Sequence, residues 1–187
     1  NVCARRRNKR YSDYAMNKLN FIEKMGFKIT WKLICIGLWG TDKIPVQITY
    51  AELFDYLEKR LNNNDLWLDE IVLLICEKDN QMKIHDLLCK FADEESSDFK
   101  LQERKWRAYL FYNILDNLSD DCLQGLLQLM EFWTLIGLQN ESPIDFPKSG
   151  DKLSIKNYFT SSTYKQQIIK SKDWLENEMK TIAVQES

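Results

Sequence analysis

The stretch Thr49-Tyr50-Ala51-Glu52-Leu53-Phe54-Asp55-Tyr56-Leu57-Glu58-Lys59-Arg60-Leu61 decides the fold class. It opens on a capping box. The Thr49 hydroxyl can accept from the amide three residues on, while Glu52 reaches back to the Thr49 amide. Leu53, Phe54, Leu57 and Leu61 then follow at the spacing of one helical face. Cap and period agree, which predicts an amphipathic helix. Pro45 lies upstream, where it interrupts nothing, and Asn62-Asn63-Asn64 marks the break afterwards.

The same logic extends in both directions. Upstream, Met16–Met25 is a short helix stopped by Gly26, and Thr30 caps the nearly all-apolar segment Trp31–Leu38, which closes at Gly40. Downstream, Leu68, Ile71, Val72 and Ile75 mark one helix. Ile84, Leu87, Leu88 and Phe91 mark the next, after Asp79-Asn80, and the two suggest an αα-hairpin. The polar run Asp93–Asp98 announces a helix over Phe99–Leu118, whose apolar residues cover more than one face and place it centrally. Ser119 reads as a cap with Asp120 and Asp121 in the first turn, where acids suit the helix dipole. That helix runs to about Gly137. Glu131 is its one charge beyond the first turn, which predicts burial. Residues 139–160 read as a long ordered loop. Ser161 or Ser162 caps a last helix striped by Tyr164, Ile168, Leu175, Met179 and Ile182.

Composition supports this reading. Three prolines and six glycines are too few for the turns of a sandwich or barrel, and 44% apolar residues suffice for a core without disulfide or metal. The expected architecture is all-α: a single-domain multi-helix bundle, or a short stack of helical hairpins, with about seven or eight helices. Met16-Asn17-Lys18-Leu19-Asn20-Phe21 reads as a natural beginning, so residues 1–15 are taken as a basic extension outside the fold and residues 16–187 as the domain. No apolar run has the length or purity of a membrane span, and no signal-peptide pattern follows the first charges, so the expected location is the cytoplasm.

The residues offer little catalytic chemistry. His85 is the one histidine, and Asp86 beside it should face elsewhere on the helix. A Cys–His pair would need Cys35 or Cys122 to approach His85 through the fold. The five cysteines, at 3, 35, 76, 89 and 122, form no C-x-x-C and read as small buried apolar residues in a reducing compartment. Neither a zinc set nor a phosphate-binding glycine loop is present, so no metal and no cofactor are expected. Trp67, Trp106, Trp133 and Trp174 fall in predicted helices as core residues. Trp39, near a turn, is the best candidate for an exposed contact.

Charge is more informative. The net charge is −2, yet residues 1–10 hold Arg5, Arg6, Arg7, Lys9 and Arg10 with no acid, so the remainder is more acidic than the total suggests. Between Asp65 and Asp98 there are ten acids against three lysines, and between Ala108 and Pro147 six acids with no lysine or arginine. This balance argues against direct nucleic-acid binding and fits a basic protein partner. Solvated helix faces would carry such acids too, as would dipole-complementing first turns at Asp69-Glu70 and Asp120-Asp121.

Three stretches carry a resemblance: Phe27-Lys28-Ile29-Thr30-Trp31-Lys32-Leu33-Ile34-Cys35-Ile36-Gly37-Leu38, Lys105-Trp106-Arg107-Ala108-Tyr109-Leu110, and Lys172-Asp173-Trp174-Leu175-Glu176. Together they resemble a family of small α-helical bacterial proteins of unknown function. Members of such families are often encoded beside polymorphic or contact-dependent growth inhibition toxins as immunity proteins. The resemblance implies a non-enzymatic protein that binds and neutralises a cognate toxin domain, often a nuclease with a basic cleft. It supplies no site residues. The acids chosen for that contact from the charge pattern are Asp69, Glu70, Glu77, Asp93, Glu94, Glu95, Asp98, Asp116, Asp120 and Asp121. Two alternatives stay open: a helical adaptor or regulator without a toxin partner, and a hydrolase using a cryptic Cys–His or carboxylate pair.

Overall fold

The computed structural model describes residues 17–61, 67–147 and 158–186. The expected extension at 1–15, the Asn62–Asn64 break and the centre of the late loop lie outside the described residues. Among those described there are eight α-helices and no strand. They are α1 (Lys18–Lys24), α2 (Trp31–Trp39), α3 (Tyr50–Leu61), α4 (Leu68–Cys76), α5 (Gln81–Glu94), α6 (Phe99–Asp116), α7 (Cys122–Leu135) and α8 (Ser161–Gln185), with a 3-10 turn at Gln139–Glu141. The chain is all-α, as the caps and stripes predict.

Most predicted boundaries have their expected physical cause. Thr49 and Glu52 form the reciprocal capping box, at 3.2 Å and 2.8 Å. Thr30 accepts from the Leu33 amide and starts α2, and Gly40 ends it at φ 72°, where a side chain would be strained. Two predicted caps are displaced by one or two residues. Asp121, not Ser119, caps α7 by accepting from the Gln124 amide, and Thr160, not Ser161 or Ser162, caps α8. In both cases a neighbouring residue of equal capping ability takes the position.

Packing divides the chain into two compact units. The first runs through Thr41 and resumes over Pro45–Glu103; the second takes Asp42–Ile44 and everything from Arg104 onward. Helix α6 therefore contributes its first residues to one unit and the rest to the other.

In the first unit α2 packs on α5, α3 on α4, and α4 on α5, so the predicted α4–α5 hairpin forms. Leu33, Ile34, Leu53, Tyr56, Leu57, Ile71, Leu74, Ile84 and Leu88 lose all contact with solvent. The α4 stripe departs from expectation. Ile71 and Leu74 point inward, whereas Leu68 and Val72 are exposed. Trp67 sets this rotation from the residue before α4. Its ring lies 4.6 Å from that of Trp31, and the Arg60 guanidinium lies 5.5 Å from its centre. Positions 71 and 74 follow Trp67 on the same face, so positions 69, 72, 73 and 76 turn outward.

The second unit is built on an aromatic knot. Phe111 of α6 sits 5.0 Å from Phe132, 5.1 Å from Trp133 and 5.3 Å from Trp174. Helix α7 packs on α8 through Gly125, where the Tyr164 ring fills the space a methyl group would need. The expected burial of α7 holds for one face. Leu126, Leu129, Phe132 and Trp133 are buried, but Leu123, Leu127 and Leu135 are exposed, so a scarcity of charge did not mean enclosure.

Candidate functional site

Seven of the ten candidate acids belong to the first unit and three to the second. Half of them already serve the fold. Glu77 binds Lys83 at 3.0 Å, and Glu94 lies 3.8 Å from Lys90. Glu95 accepts from the Lys32 amide at 3.1 Å, and the Lys32 ammonium donates to the Glu95 carbonyl at 2.6 Å. This loop thereby supplies a carboxylate to the first turn of α2, where the dipole is positive. Asp98 accepts from the Leu101 amide, and Asp121 caps α7. The other five are Asp69, Glu70, Asp93, Asp116 and Asp120. All but Glu70, which is half-buried, are exposed, and none makes an ion pair or side-chain hydrogen bond with a described residue.

Asp69 has a particular setting. It lies in the first turn of α4, on the side of the helix that faces away from Ile71 and Leu74. Leu68, Val72 and Leu73 share that outer side at 38%, 42% and 48% exposure, and Cys76 is exposed there too. The outward face of α4 is thus apolar with one carboxylate set into it.

The sole histidine lies on α5. The His85 ring lies tilted 4.6 Å from that of Trp39, which is 37% exposed and whose indole N–H donates to the Tyr50 hydroxyl at 3.3 Å. Contrary to the sequence expectation, Asp86 does approach it, with a carboxylate oxygen 3.5 Å from Nδ1. The thiol beside the ring belongs to Cys89, one turn along, 3.9 Å from either ring nitrogen. Burial, together with the charges of Asp93 and Asp86, pushes the Cys89 thiol above its ordinary value. Cys35 is pushed up to about 12 by burial and by Cys89, Glu95 and Asp93, and its thiol faces the Leu88 carbonyl. Both shifts oppose the thiolate that a nucleophile requires. Cys122 faces the Phe159 carbonyl at 4.0 Å. The cysteines are also less enclosed than predicted: Cys76 is exposed, and Cys35, Cys89 and Cys122 are half-buried. Among the described residues no three His, Cys, Asp or Glu side chains form a group able to hold a metal ion, and no helix is long and apolar enough to cross a membrane.

One cluster escaped the sequence reading. Glu178 of α8 accepts from Arg104 through both oxygens, at 2.8 Å and 2.9 Å, and from Arg107 at 2.9 Å. Arg107 also reaches Glu141 at 2.8 Å and lies 5.4 Å from the Trp174 ring. Lys105 is wholly buried and pairs with Glu186. Burial pushes the Glu178 carboxyl up, but hydrogen bonds from Arg104 and Arg107, with their charges, outweigh it and hold the group below its ordinary value. The signal was present: Glu178 falls on the inward stripe of α8, between Leu175 and Ile182, and four bases, Lys100, Arg104, Lys105 and Arg107, punctuate the core helix α6. These charges pair chiefly with one another, although the Arg107 Nε is buried without a hydrogen-bond partner and the Glu141 side chain stays largely in solvent. Of Trp67, Trp106, Trp133 and Trp174, the middle two are fully buried as predicted, while Trp67 and Trp174 keep part of a face in solvent.

The described helices thus define a small all-α protein. Residues 19–179 match the family described as "Uncharacterized protein conserved in bacteria (DUF2247)", and the chain belongs to that family. No curated protein and no solved structure matches the chain.

Proposed function

We propose that this chain is a non-enzymatic immunity protein that acts in the bacterial cytoplasm and binds and neutralises a cognate toxin domain by protein–protein contact. One observation carries the reading: Asp69, Glu70, Asp93, Asp116 and Asp120 stand without a cation among the described residues, while other acids nearby are used by the fold. Beyond the helix-dipole contribution of Asp69 and Glu70, surface acids without a cation add little to the monomer, but they steer a basic partner toward the surface and oppose a wrong one. A nuclease domain with a basic cleft has that chemistry. Membership of a bacterial family is compatible with this role.

The test is to co-express the chain with the toxin domain encoded beside it and to follow growth and complex formation. Protection with a stable complex is expected. Full toxicity without a complex would overturn the proposal in favour of an adaptor with another partner. Within a complex, Asp69→Lys with Asp93→Lys, and separately Asp116→Lys with Asp120→Lys, report which unit faces the toxin. The pair at the interface should slow association roughly tenfold at low salt and flatten its salt dependence. If neither pair changes the association rate, the acids are not the docking surface.

A further inference from the structure

We infer that the outward face of α4 is the anchor of a protein interface whose occupant is an apolar, basic segment, with a cation placed opposite Asp69. The inference rests on the immunity reading for the identity of its natural partner. Leu68, Val72 and Leu73 leave between a third and a half of their surface in water on one side of a nine-residue helix. Isolated exposed leucines are ordinary, but a contiguous group on one helical face is what docking anchors look like before they are covered. The rotation that exposes them is imposed by Trp67, held between Trp31 and Arg60, so the face is presented by rigid packing.

Charge selects the occupant. Asp69 lies within the stripe, Glu70 borders it, and Glu77, Lys78 and Asp79 follow at its far end with one more acid than base. A second copy of this chain is disfavoured in either orientation. Parallel pairing sets Asp69 against Asp69, and antiparallel pairing brings each Asp69 to the far end of the other stripe, where Glu77 and Asp79 outnumber the single cation Lys78. Burying an unpaired carboxylate costs more than the leucines return. Nucleic acid and anionic membrane surfaces are repelled by the same group. A segment with apolar side chains and a lysine or arginine covers the leucines and pairs Asp69 at once.

Two experiments separate this inference from the function on which it rests. The first uses the intact chain and a helical peptide of alternating leucine and lysine faces, with a leucine–glutamate peptide as control. Amide exchange over Leu68–Cys76 should slow with the lysine peptide and not with the glutamate one, and Asp69→Lys should reverse that preference. Absence of protection on α4 overturns the inference, whatever the toxin result. The second uses the complex with the neighbouring toxin domain. Changing Leu68, Val72 and Leu73 together to Ala should speed dissociation by roughly thirtyfold, with the fold intact by thermal unfolding. Tight binding by this variant overturns the anchor while leaving the immunity reading in place. Failure of the wild-type chain to bind or protect removes the immunity reading, and the peptide result then decides the α4 surface alone. A wild-type dimer that the triple change abolishes would show that a second copy is the occupant.

Discussion

The outer face of α4 and the inner face of α8 reverse the usual rule in opposite senses. In the first unit, Leu68, Val72 and Leu73 stand in solvent. In the second, Arg107 and Glu178 are almost completely enclosed and Lys105 fully so. The two exceptions differ in what they cost. The charged cluster is nearly closed: Glu178 and Glu186 each meet a guanidinium or ammonium, which offsets their desolvation, while the Arg107 Nε is left buried without a hydrogen bond. The apolar stripe is incomplete: among the described residues, Leu68, Val72 and Leu73 keep between a third and a half of their surface in water. A satisfied exception of this kind specifies the fold, whereas an unsatisfied one points outward to a partner. Each side of that contrast can be broken by substitution.

The largest effect should come from Glu178. Glu178→Gln removes the charge that Arg104 and Arg107 share while keeping the shape. It leaves the Arg107 guanidinium, itself in contact with the Trp174 ring, short of a counter-charge in a buried site. Loss of one partner from such a cluster costs about 3 kcal/mol, and denaturant unfolding should show it as a lower midpoint. A change under about 1 kcal/mol would mean that Glu141 or water takes over, and the cluster would no longer count as a closed set.

Lowering the pH provides a milder test of the same cluster. The Glu178 carboxyl is held below its ordinary value in the folded chain, so the unfolded state binds the proton more readily. Its contribution to stability is therefore fully present above the unfolded carboxyl value, about 4.3 for glutamate, and is lost as the pH falls from there through the folded value. Stability measured down from neutrality should drop in that acid range, and the drop should shrink in Glu178→Gln. An identical acid profile in the variant would assign the loss to other carboxylates.

The difference between the two regions also explains what could be read from sequence. Caps and stripes are local, and the Thr49–Glu52 box, the Thr30 cap and the Gly40 stop all follow from neighbouring residues. Rotation about a helix axis is not local. The stripe of α4 contains enough apolar residues for two faces, and what selects Ile71 and Leu74 for the core is Trp67 packing at a tilt against Trp31 of another helix. The candidate acids divide for the same reason. Nothing near Glu95 in the sequence reveals that its carboxylate meets the Lys32 amide, whereas Asp121 could have been read as a cap from its place before Cys122. The buried charges are invisible to a period of apolar residues alone, because Glu178 and Arg107 hold inward positions as charged side chains. Scoring Glu178 as an inward position between Leu175 and Ile182, and asking which cations α6 offered, would have found the pairing type though not its partners.

The smallest expected effect is on the stability of the α4 variant. Changing Leu68, Val72 and Leu73 to Ala removes side chains that are already half in water, so little burial is lost, and alanine is the better helix former, above all in place of valine. The two terms oppose each other, and the net change should stay within about 1 kcal/mol, the range of ordinary surface substitutions. Glu178→Gln should therefore shift the unfolding midpoint clearly further than three simultaneous changes on α4, although it alters a single atom type. If the α4 variant loses as much as Glu178→Gln, the stripe is part of the chain's own core. The contrast between a closed set of charges and an open apolar face would then collapse into two ways of holding one monomer together.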